Sequence, residues 1–316
     1  MQFSVGIYMS VSVVISTYTA DRLEDVRQCI NSLRQQTLKP KEIILVLDPD
    51  ERLIRFFKSR LPPDIRIIVS DVYGLSGARN KGVESASGEI VAFVDDDATA
   101  EEHWLKNLTR NFADPSVMGS GGFVKPQWLS SRPKWFPTEL YWLIGCSYKG
   151  GPQERSEIRN PIGCNMSFRK TAFDRIGYFR SDVGRVGKTL TACEETDFSM
   201  RLLRKIPNSK IIYEPSAIVF HKVGKSRQKL KYLWKRSFCE GISKALISLD
   251  TNNVNTDNSR TLTAEDLYLK YLLSVSIPAR LKRVQRPENI IQVLTILVST
   301  CAVAAGFLSV KIGGRK

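Results

Sequence analysis

The sequence predicts an α/β protein built on a mostly parallel sheet with helices on both of its faces. Two observations lead to this fold class. Short apolar runs rich in β-branched residues recur up to residue 94, and each is followed by a stretch that can form an amphipathic helix. Continuous apolar runs are typical of buried parallel strands, and their alternation with helices is typical of a parallel sheet.

The first predicted helix illustrates the pattern, because Val26, Ile30 and Leu33 fall on one face of the segment 21–35. Further along, the segment 193–206 predicts a helix with acids at its start, 210–223 a strand and 226–249 a basic helix. The alternating region itself has predicted strands at 11–16, 42–47, 65–70 and 89–94, and predicted helices at 21–35, 50–61 and 76–86.

Composition indicates a globular protein with an anionic partner. Hydrophobic residues make up 42% of the chain, charged residues 25%, and the formal net charge is +15 at pH 7. Such a surplus of basic residues suits nucleic acid, an anionic membrane or a phosphorylated substrate. The sequence has no recognised nucleic-acid-reading motif, so we expect no nucleic-acid partner.

The numbers and spacing of cysteines and histidines restrict which metal sites the protein can have and indicate its cellular compartment. The six cysteines form no C-x-x-C pair, which predicts reduced thiols and no structural zinc site, and the two histidines exclude a histidine-rich metal centre. No basic segment followed by a short apolar core opens the chain. We therefore expect the catalytic part to lie on the cytoplasmic side of a membrane.

The C-terminal region predicts that membrane attachment. Residues 290–310 form 21 uncharged positions, close to the length of a transmembrane helix, and basic residues flank them on both sides. A buried core helix is the alternative interpretation. Between the α/β region and this segment, 226–288 predicts basic, amphipathic membrane-proximal helices, interrupted by a polar linker at 251–261.

An aromatic segment, 125–150, interleaves tryptophan, tyrosine and phenylalanine with lysine and arginine. Such a composition is found at membrane interfaces, but aromatic residues are equally common in a protein core. Both interpretations stay open at this point.

Three consecutive carboxylates, Asp95, Asp96 and Asp97, follow the predicted strand at 89–94. They are therefore expected at the carboxyl edge of the sheet, where ligands bind in open α/β folds. Adjacent carboxylates relieve their mutual repulsion by binding a divalent cation such as Mg²⁺ or Mn²⁺. The alternative is that Asp97 merely caps a helix that begins at Ala98, which would explain only one of the three acids.

The first strand-to-helix turn lacks the G-x-G-x-x-G pattern of dinucleotide-binding proteins, which argues against a nicotinamide oxidoreductase. In its place, Asp48 ends the second strand and the run GARNKG occupies 77–82. Both are expected at the same edge of the sheet as the three acids.

These motifs, in this order, resemble family 2 glycosyltransferases, which have the GT-A fold, a Rossmann-type sheet. The segments that carry the resemblance are SVVISTYTADR, Asp48, GLSGARNKG, VAFVDDDA, GCNMSFRK and EETDFSMR, and they define a catalytic domain over 9–235. The runs LYWLIGCSY, NPIGCN and FHKV are in addition similar to archaeal-type glucosyl-dolichyl-phosphate glucuronosyltransferases.

The resemblance implies a hexosyltransferase that moves a sugar from a UDP-sugar donor with inversion, assisted by Mn²⁺ or Mg²⁺. Asp97 would bind the metal, and Asp95 would bind the ribose of the donor or the metal. His221 would be a further metal ligand, although a lone histidine is more often structural. Asp96 would belong to the donor-binding set.

The rest of the donor site is also implied by the resemblance. Asp48 would hydrogen-bond the uracil edge, and Thr17 and Tyr18 would line the base pocket. Arg79 would approach the nucleotide or its diphosphate, since guanidinium is a planar and permanent cation. The alternative for Arg79 is an ion pair with one of the acids.

The catalytic base is expected in the EETD run, where the resemblance places a carboxylate that takes the proton of the acceptor hydroxyl. Glu195 aligns with the usual base and Glu194 precedes it, but the chain has Glu where the family usually has Asp. The base is therefore left between Glu194 and Glu195. Both acids would also suit the N-terminus of a helix without any catalytic role.

Three functions follow from these observations. The first is a membrane-attached transferase that adds a sugar, glucuronic acid by the narrower resemblance, to a lipid-linked saccharide or to dolichyl or polyprenyl phosphate. The second is a transferase whose acceptor is a polysaccharide or another cell-surface glycan. The third is a nucleotide-binding protein that has lost catalysis, against which the intact acids at 95, 97, 194 and 195 argue.

Overall fold

The computed structural model describes residues 9–181, 193–252 and 263–313. The predicted strands at 42–47 and 210–223 have the same bounds in the structure, and the others differ at their ends by a residue or so. The strands of this part of the chain are β1 (Val11–Thr17), β2 (Glu42–Leu47), β3 (Arg66–Val69), β4 (Ile90–Asp95), β5 (Ala98–Ala100), β6 (Val117–Trp128), β7 (Ser156–Glu157), β8 (Asn165–Arg169) and β9 (Lys210–Val223).

The helices flank this sheet and continue beyond it. Amphipathic α1 buries Val26, Ile30 and Leu33, as its spacing predicts. The helices are α1 (Leu23–Arg34), α2 (Glu51–Lys58), α3 (Leu75–Ser85), α4 (Trp104–Thr109), α5 (Lys170–Ile176), α6 (Glu194–Lys205), α7 (Leu230–Asn252), α8 (Thr263–Tyr271), α9 (Ile277–Leu281) and α10 (Pro287–Gly313).

The strands form one mixed sheet in the order β3-β2-β1-β4-β8-β6-β9-β5, and β7 pairs with β9 outside this path. The first four strands are parallel, with β1 between β2 and β4, and β6 is parallel to β9. Strand β8 runs antiparallel between β4 and β6. One apolar cluster covers each face of the sheet, so the predicted α/β class with a mostly parallel sheet is confirmed.

The prediction that Asp97 could cap a helix is wrong. The chain stays extended after Asp97, because β5 pairs with β9 and places Ala98 opposite His221. The next helix, α4, begins only at Trp104. A distant strand therefore overrides the local capping signal and holds Asp97 beside the C-terminal part of the sheet.

The aromatic segment 125–150 packs mainly into a third apolar cluster. Phe136 and Tyr141 are buried there with Ile144, and Trp128 packs edge-on against both Phe136 and Tyr141. Leu233 of α7 and Ile296 of α10 belong to the same cluster. The core interpretation of this segment therefore holds for most of its aromatic side chains.

Helices α7 and α10 lie side by side and run in the same direction. The hydroxyl oxygens of Ser237 and Ser299 are 2.7 Å apart. A Cβ atom placed on Gly241 would come within 2.0 Å of the carbonyl oxygen of Val303, and one on Gly306 within 2.0 Å of that of Phe238. Small residues thus bring the two backbones into contact, as they do between membrane helices.

Replacing Gly306 with valine is expected to lower the free energy of unfolding by about 2 kcal/mol, because the added side chain has no space against the backbone of α7. Ala304→Val is the matched control, since Ala304 lies on the exposed face of the same helix. Urea unfolding of both variants in detergent measures the difference. Equal stability of the two variants would contradict this close packing.

Among the described residues, α10 is the one helix long and apolar enough to cross a membrane, and 33% of its most apolar stretch is buried against the protein. Helix α7 continues to Asn252, into the start of the predicted polar linker. The remainder of that linker lies outside the described residues.

Candidate active site

The three acids lie where β4 ends, at the carboxyl edge of the parallel strands. The register of β5 against β9 brings His221 beside them, and the backbone N–H of Lys222 donates to the carbonyl of Asp97 over 3.0 Å. One ligand atom each from Asp95, Asp97 and His221 lie within 4.8 Å of one another. Two carboxylates and an imidazole in this arrangement can hold a divalent cation.

Asp97 is surrounded by positive charge. Its oxygens lie 2.6 Å from Arg22, 3.3 Å from Nε2 of His221 and 3.6 Å from Arg227. Burial alone would raise the pKa of Asp97, but the charges of His221, Arg227 and Arg22 outweigh it and hold the pKa far below its usual range. The carboxylate is therefore ionised and ready to bind a cation.

His221 is held on both sides of its ring. Its Nδ1 lies 3.7 Å from the sulfur of Cys146, and its Nε2 faces Asp97 and, at 3.3 Å, Arg227. Burial would lower the pKa of His221, but the charge of Asp97 raises it to about 10 in the metal-free protein. A cation bound through Nε2 must therefore displace a proton.

Asp96 is not one of the three converging ligands, although its Oδ1 lies 3.8 Å from Arg22. It accepts a hydrogen bond of 2.6 Å from the hydroxyl of Thr17, and burial together with the charge of Asp97 raises its pKa to about 7. The first and third acids of the triplet thus converge with His221, whereas the second connects to β1. β4 ends at Asp95, and the turn formed by Asp96 and Asp97 before β5 separates their side chains in this way.

A cleft of about 100 Å³ lies in front of the acids. Its wall includes Tyr18, which is half exposed, and Asp48, which accepts a hydrogen bond of 3.3 Å from the backbone N–H of Gly74. Burial raises the pKa of Asp48. The predicted donor residues that line this cleft are Thr17, Tyr18, Asp48, Asp95, Asp96 and Asp97.

Two cleft residues were missed by sequence reasoning, Arg22 and Arg227. Arg22 lies in the short 3-10 helix that follows β1, and Arg227 lies in the turn between β9 and α7. The sequence offered a weak signal for Arg227, which follows His221 by six positions. An arginine is not distinctive in a chain with 47 lysines and arginines.

Arg79 makes the ion pairs that the alternative interpretation described. It is 3% exposed and donates to Oε1 of Glu194 over 2.7 Å, to Asp95 over 3.2 Å and to the carbonyl of Gly163 over 3.0 Å. These contacts connect the acids of β4 to the start of α6. A contact of Arg79 with the nucleotide stays a prediction.

The structure separates the two candidate bases. Glu194 is buried and engaged by Arg79, whereas Glu195 is half-buried. Burial and the charge of Glu194 raise the pKa of Glu195 to about 8. A carboxylate with a raised pKa is a better proton acceptor, so Glu195 has the properties of a general base and Glu194 those of an anchor for Arg79.

Comparisons of the sequence identify relatives. The family described as "Glycosyl transferase family 2" matches residues 12–177, more than half of the chain. A Haloferax volcanii protein named glucosyl-dolichyl phosphate glucuronosyltransferase is 32% identical over 311 residues, covering 95% of this chain and 96% of that protein. The succinoglycan biosynthesis protein ExoM of Rhizobium meliloti is 24% identical over 242 residues, covering 74% and 73% of the two chains.

Solved structures share the fold. S. aureus TarS 1-349 in complex with UDP has a TM-score of 0.52 at 17% identity, over 85% of this chain and 73% of that chain. GalNAc-T7 with UDP, GalNAc and Mn²⁺ has a TM-score of 0.51 at 14% identity, over 85% and 57%. These likenesses confirm the GT-A-like sheet. Together with the family match and the relative that aligns along almost its entire length, they show that the chain belongs to glycosyl transferase family 2.

Proposed function

We propose that this glycosyltransferase is attached to a membrane and transfers glucuronic acid from UDP-glucuronic acid to a lipid-linked saccharide carried on dolichyl or polyprenyl phosphate. The observation that carries the proposal is the similarity to the Haloferax volcanii protein, which extends over 95% of this chain and so includes the C-terminal helices. The proposal divides the chain into a catalytic domain (9–235), membrane-proximal helices (226–288) and an apolar helix (290–310).

The donor would occupy the cleft at the carboxyl edge of β1, β2 and β4. Asp48 and Tyr18 would contact the uracil, and Thr17 and Asp96 would orient the ribose from the floor of the cleft. Arg22 and Arg227 project guanidinium groups at Asp97, next to the expected diphosphate. Guanidinium groups bind phosphate oxygens through two hydrogen bonds, so these arginines support the binding of a diphosphate.

Asp95, Asp97 and His221 fit a divalent cation, Mg²⁺ or Mn²⁺, because hard oxygen ligands and one imidazole converge there. Arg22, His221 and Arg227 keep Asp97 ionised, and a bound cation would take the place of part of their charge beside this carboxylate. When bound, the metal would neutralise the negative charge that develops on the departing UDP.

Glu195 would act on the acceptor. Its carboxylate would take the proton of the acceptor hydroxyl as that oxygen bonds to the anomeric carbon, while the bond from this carbon to the diphosphate breaks on the opposite side. One displacement of this kind inverts the configuration at the anomeric carbon. Arg79 would hold Glu194 and Asp95 in place, and so connect the base-bearing helix to the donor site.

The free cysteines support a cytoplasmic catalytic domain. All six, including the buried Cys29, Cys146, Cys164 and Cys193, are unpaired. Reduced thiols are typical of the cytosol, and disulfides are typical of secreted domains. This placement also puts the donor cleft on the side where nucleotide sugars are made.

A polysaccharide acceptor is the second candidate. It is favoured by the similarity to ExoM, a protein named for succinoglycan biosynthesis, over 74% of this chain. The two candidates share the donor site and differ in the solubility of the product.

The test is transfer from radiolabelled UDP-glucuronic acid, with radiolabelled UDP-glucose as a parallel donor. Membranes containing the full chain are incubated with Mn²⁺ and dolichyl phosphate glucose, then extracted with organic solvent. We expect label from UDP-glucuronic acid in the organic phase. Label that enters only water-soluble polymer would favour the polysaccharide acceptor, and label from UDP-glucose alone would contradict the proposed donor.

A further inference from the structure

Helix α10 presents a continuous apolar stripe on the side that faces away from the protein. The stripe contains Ile291, Leu294, Leu297, Val298, Cys301 and Leu308, all exposed and spaced one to seven residues apart. From Ile291 to Leu308 it extends over about 26 Å, at about 1.5 Å per residue. An uncovered apolar surface of this size marks an interaction with a membrane or another protein.

The opposite side of α10 is attached to the protein along its length. Near its start, the amide of Gln292 donates to the carbonyl of Lys134 over 2.7 Å and accepts from Arg280 over 3.0 Å. In its second half, Ser299 and Gly306 contact α7. Helix α10 is therefore one edge of the catalytic unit, and its orientation in a bilayer determines how deep that unit lies.

A row of ion-paired side chains on α7, Arg236, Glu240 and Lys244, is called the charged ladder here and lies beside the second half of α10. Ser237 of α7 is opposite Ser299 and Gly241 is opposite Val303, so Arg236, Glu240 and Lys244 lie level with the middle and C-terminal half of α10. Arg236 and Lys244 lie 2.8 and 3.2 Å from the carboxylate of Glu240. These charges would be near the bilayer centre if α10 crossed the membrane.

The ladder continues into the catalytic domain. Lys244 also pairs with Glu265 of α8, and Glu265 accepts two hydrogen bonds, of 2.6 and 2.8 Å, from Arg159. Arg159 lies on a loop between β7 and β8. A spanning α10 would thus draw both charged groups and non-helical backbone into the hydrocarbon, where both are unfavourable.

We propose that α10 lies in the plane of the membrane, immersed by its apolar stripe in one leaflet of an anionic bilayer, and does not span it. In this orientation the charged ladder and the catalytic domain stay in water, and the apolar stripe is buried among the lipid chains. The inference rests on the membrane attachment proposed above, and it is independent of which sugar and acceptor the enzyme uses.

The charges around the helix fit anionic headgroups. Lys282, Arg283 and Arg286 are exposed just before α10, and Lys231 and Lys235 are exposed on the first turns of α7. Basic residues beside an apolar face are typical of helices that lie in the interface of an anionic membrane. These charges make a bilayer a better partner for the stripe than a second copy of the same basic chain.

The same geometry would bring a lipid-linked acceptor to the donor site. Arg227 lines the cleft, and the exposed Leu230 that begins α7 follows it by three residues, a distance of at most about 11 Å. Trp234, half exposed one turn later, is a residue type that anchors proteins at the membrane interface. With Leu230 and Trp234 in the same leaflet as the stripe, the cleft would lie beside the membrane surface.

Depth measurements with a fluorescent maleimide distinguish the two orientations. All labelled proteins carry Cys239→Ala, and the four other cysteines besides Cys301 are buried. The first protein is labelled at the native Cys301. The other two also carry Cys301→Ser and are labelled at Ile291→Cys or at Leu308→Cys. The full chain is bound to phosphatidylcholine and phosphatidylglycerol vesicles whose lipids carry a quencher near the headgroup or near the end of the acyl chain. Labelled Asn31→Cys, on an exposed position of α1, is the control.

We expect equal, shallow quenching at the three positions and none at the control. Quenching that is deepest at Cys301 and shallow at 291 and 308 would overturn the in-plane orientation and leave membrane attachment standing. Absence of quenching at all three positions, with a dimer in solution, would overturn the bilayer as partner and membrane attachment together. The transferase reaction is tested separately by the donor assay above.

A charge variant provides a second measurement. Leu294→Glu with Leu297→Glu places charges in the stripe without disturbing packed side chains, and is expected to weaken vesicle binding at least about 10-fold. Asn31→Glu is the control and is expected to bind as the unmodified chain does. Retained UDP binding shows that the variant is folded, and unchanged vesicle binding of the folded variant would contradict the proposal.

Discussion

Replacing Asp97 with asparagine is expected to reduce sugar transfer by about 10³-fold, which corresponds to about 4 kcal/mol of transition-state stabilisation. Asp97 is the acid on which Arg22, His221 and Arg227 converge, and it shares the candidate cation site with Asp95 and His221. An amide has no charge to neutralise a divalent cation, so Mn²⁺ binding should weaken with the activity. Calorimetric titration of Mn²⁺ and the radiolabel assay measure the two effects.

Asp96→Asn is the matched control for this substitution. Asp96 is the adjacent acid and is similarly buried, but it hydrogen-bonds Thr17 and takes no part in the candidate cation site. We expect its variant to bind Mn²⁺ as the unmodified protein does, even if UDP binding weakens. Undiminished Mn²⁺ affinity of Asp97→Asn would remove this residue from the metal site.

Replacing Glu195 with glutamine is expected to lower the turnover number by 10³- to 10⁴-fold, close to the upper range for loss of a general base. UDP affinity and thermal stability should stay near those of the unmodified protein, because Glu195 is half-buried and lies outside the residues that line the donor cleft. Turnover under saturating donor, UDP titration and thermal unfolding distinguish a catalytic loss from a structural one.

Glu194→Gln provides the contrast. Glu194 is buried and holds Arg79 at 2.7 Å, so its loss leaves a buried guanidinium whose remaining ion pair in the described part of the chain is with Asp95 at 3.2 Å. We expect lower thermal stability from this variant, since breaking a buried ion pair is strongly destabilising. If Glu195→Gln keeps its turnover and Glu194→Gln loses it, the base is Glu194.

The pH dependence of transfer gives an independent test of the same assignment. The pKa of Glu195 is raised to about 8, so at neutral pH most of this carboxyl is protonated and cannot accept a proton. The rate constant kcat/KM is expected to fall about tenfold per pH unit below about 8 and to level off above it. A profile that is flat between pH 6 and pH 9, measured at saturating Mn²⁺, would contradict a base with this pKa.

Much of the fold was determined by local sequence pattern. The apolar run at 42–47 predicted strand β2, and the β-branched and aromatic residues of 210–223 predicted β9, both with the bounds that the structure shows, because such side chains suit a buried sheet. The motifs also predicted the family, and they placed Asp95, Asp96 and Asp97 at the end of β4. These features depend on residues close together in the chain.

The composition of the site was decided by tertiary structure. His221 reaches Asp97 only because β5 and β9 pair in one register, across 124 positions of sequence. The same pairing makes residues 98–100 a strand, where the alternative interpretation of the acids had a helix. Arg22 and Arg227 approach Asp97 from separate turns, and no local pattern distinguishes them from the other basic residues.

The sequence likewise could not assign different roles to adjacent residues of the same type. Glu194 and Glu195 differ because Arg79, more than a hundred positions away, pairs with one and leaves the other as a possible base. The apolar length of α10 suggested a membrane span, but its alignment with α7 determines which charges would accompany it into the bilayer. Sequence by itself determined which segments are buried and which family the chain resembles, because burial and motifs are local. Tertiary structure decided which charges meet, because the electrostatic energy of a group depends on distances that chain order does not contain.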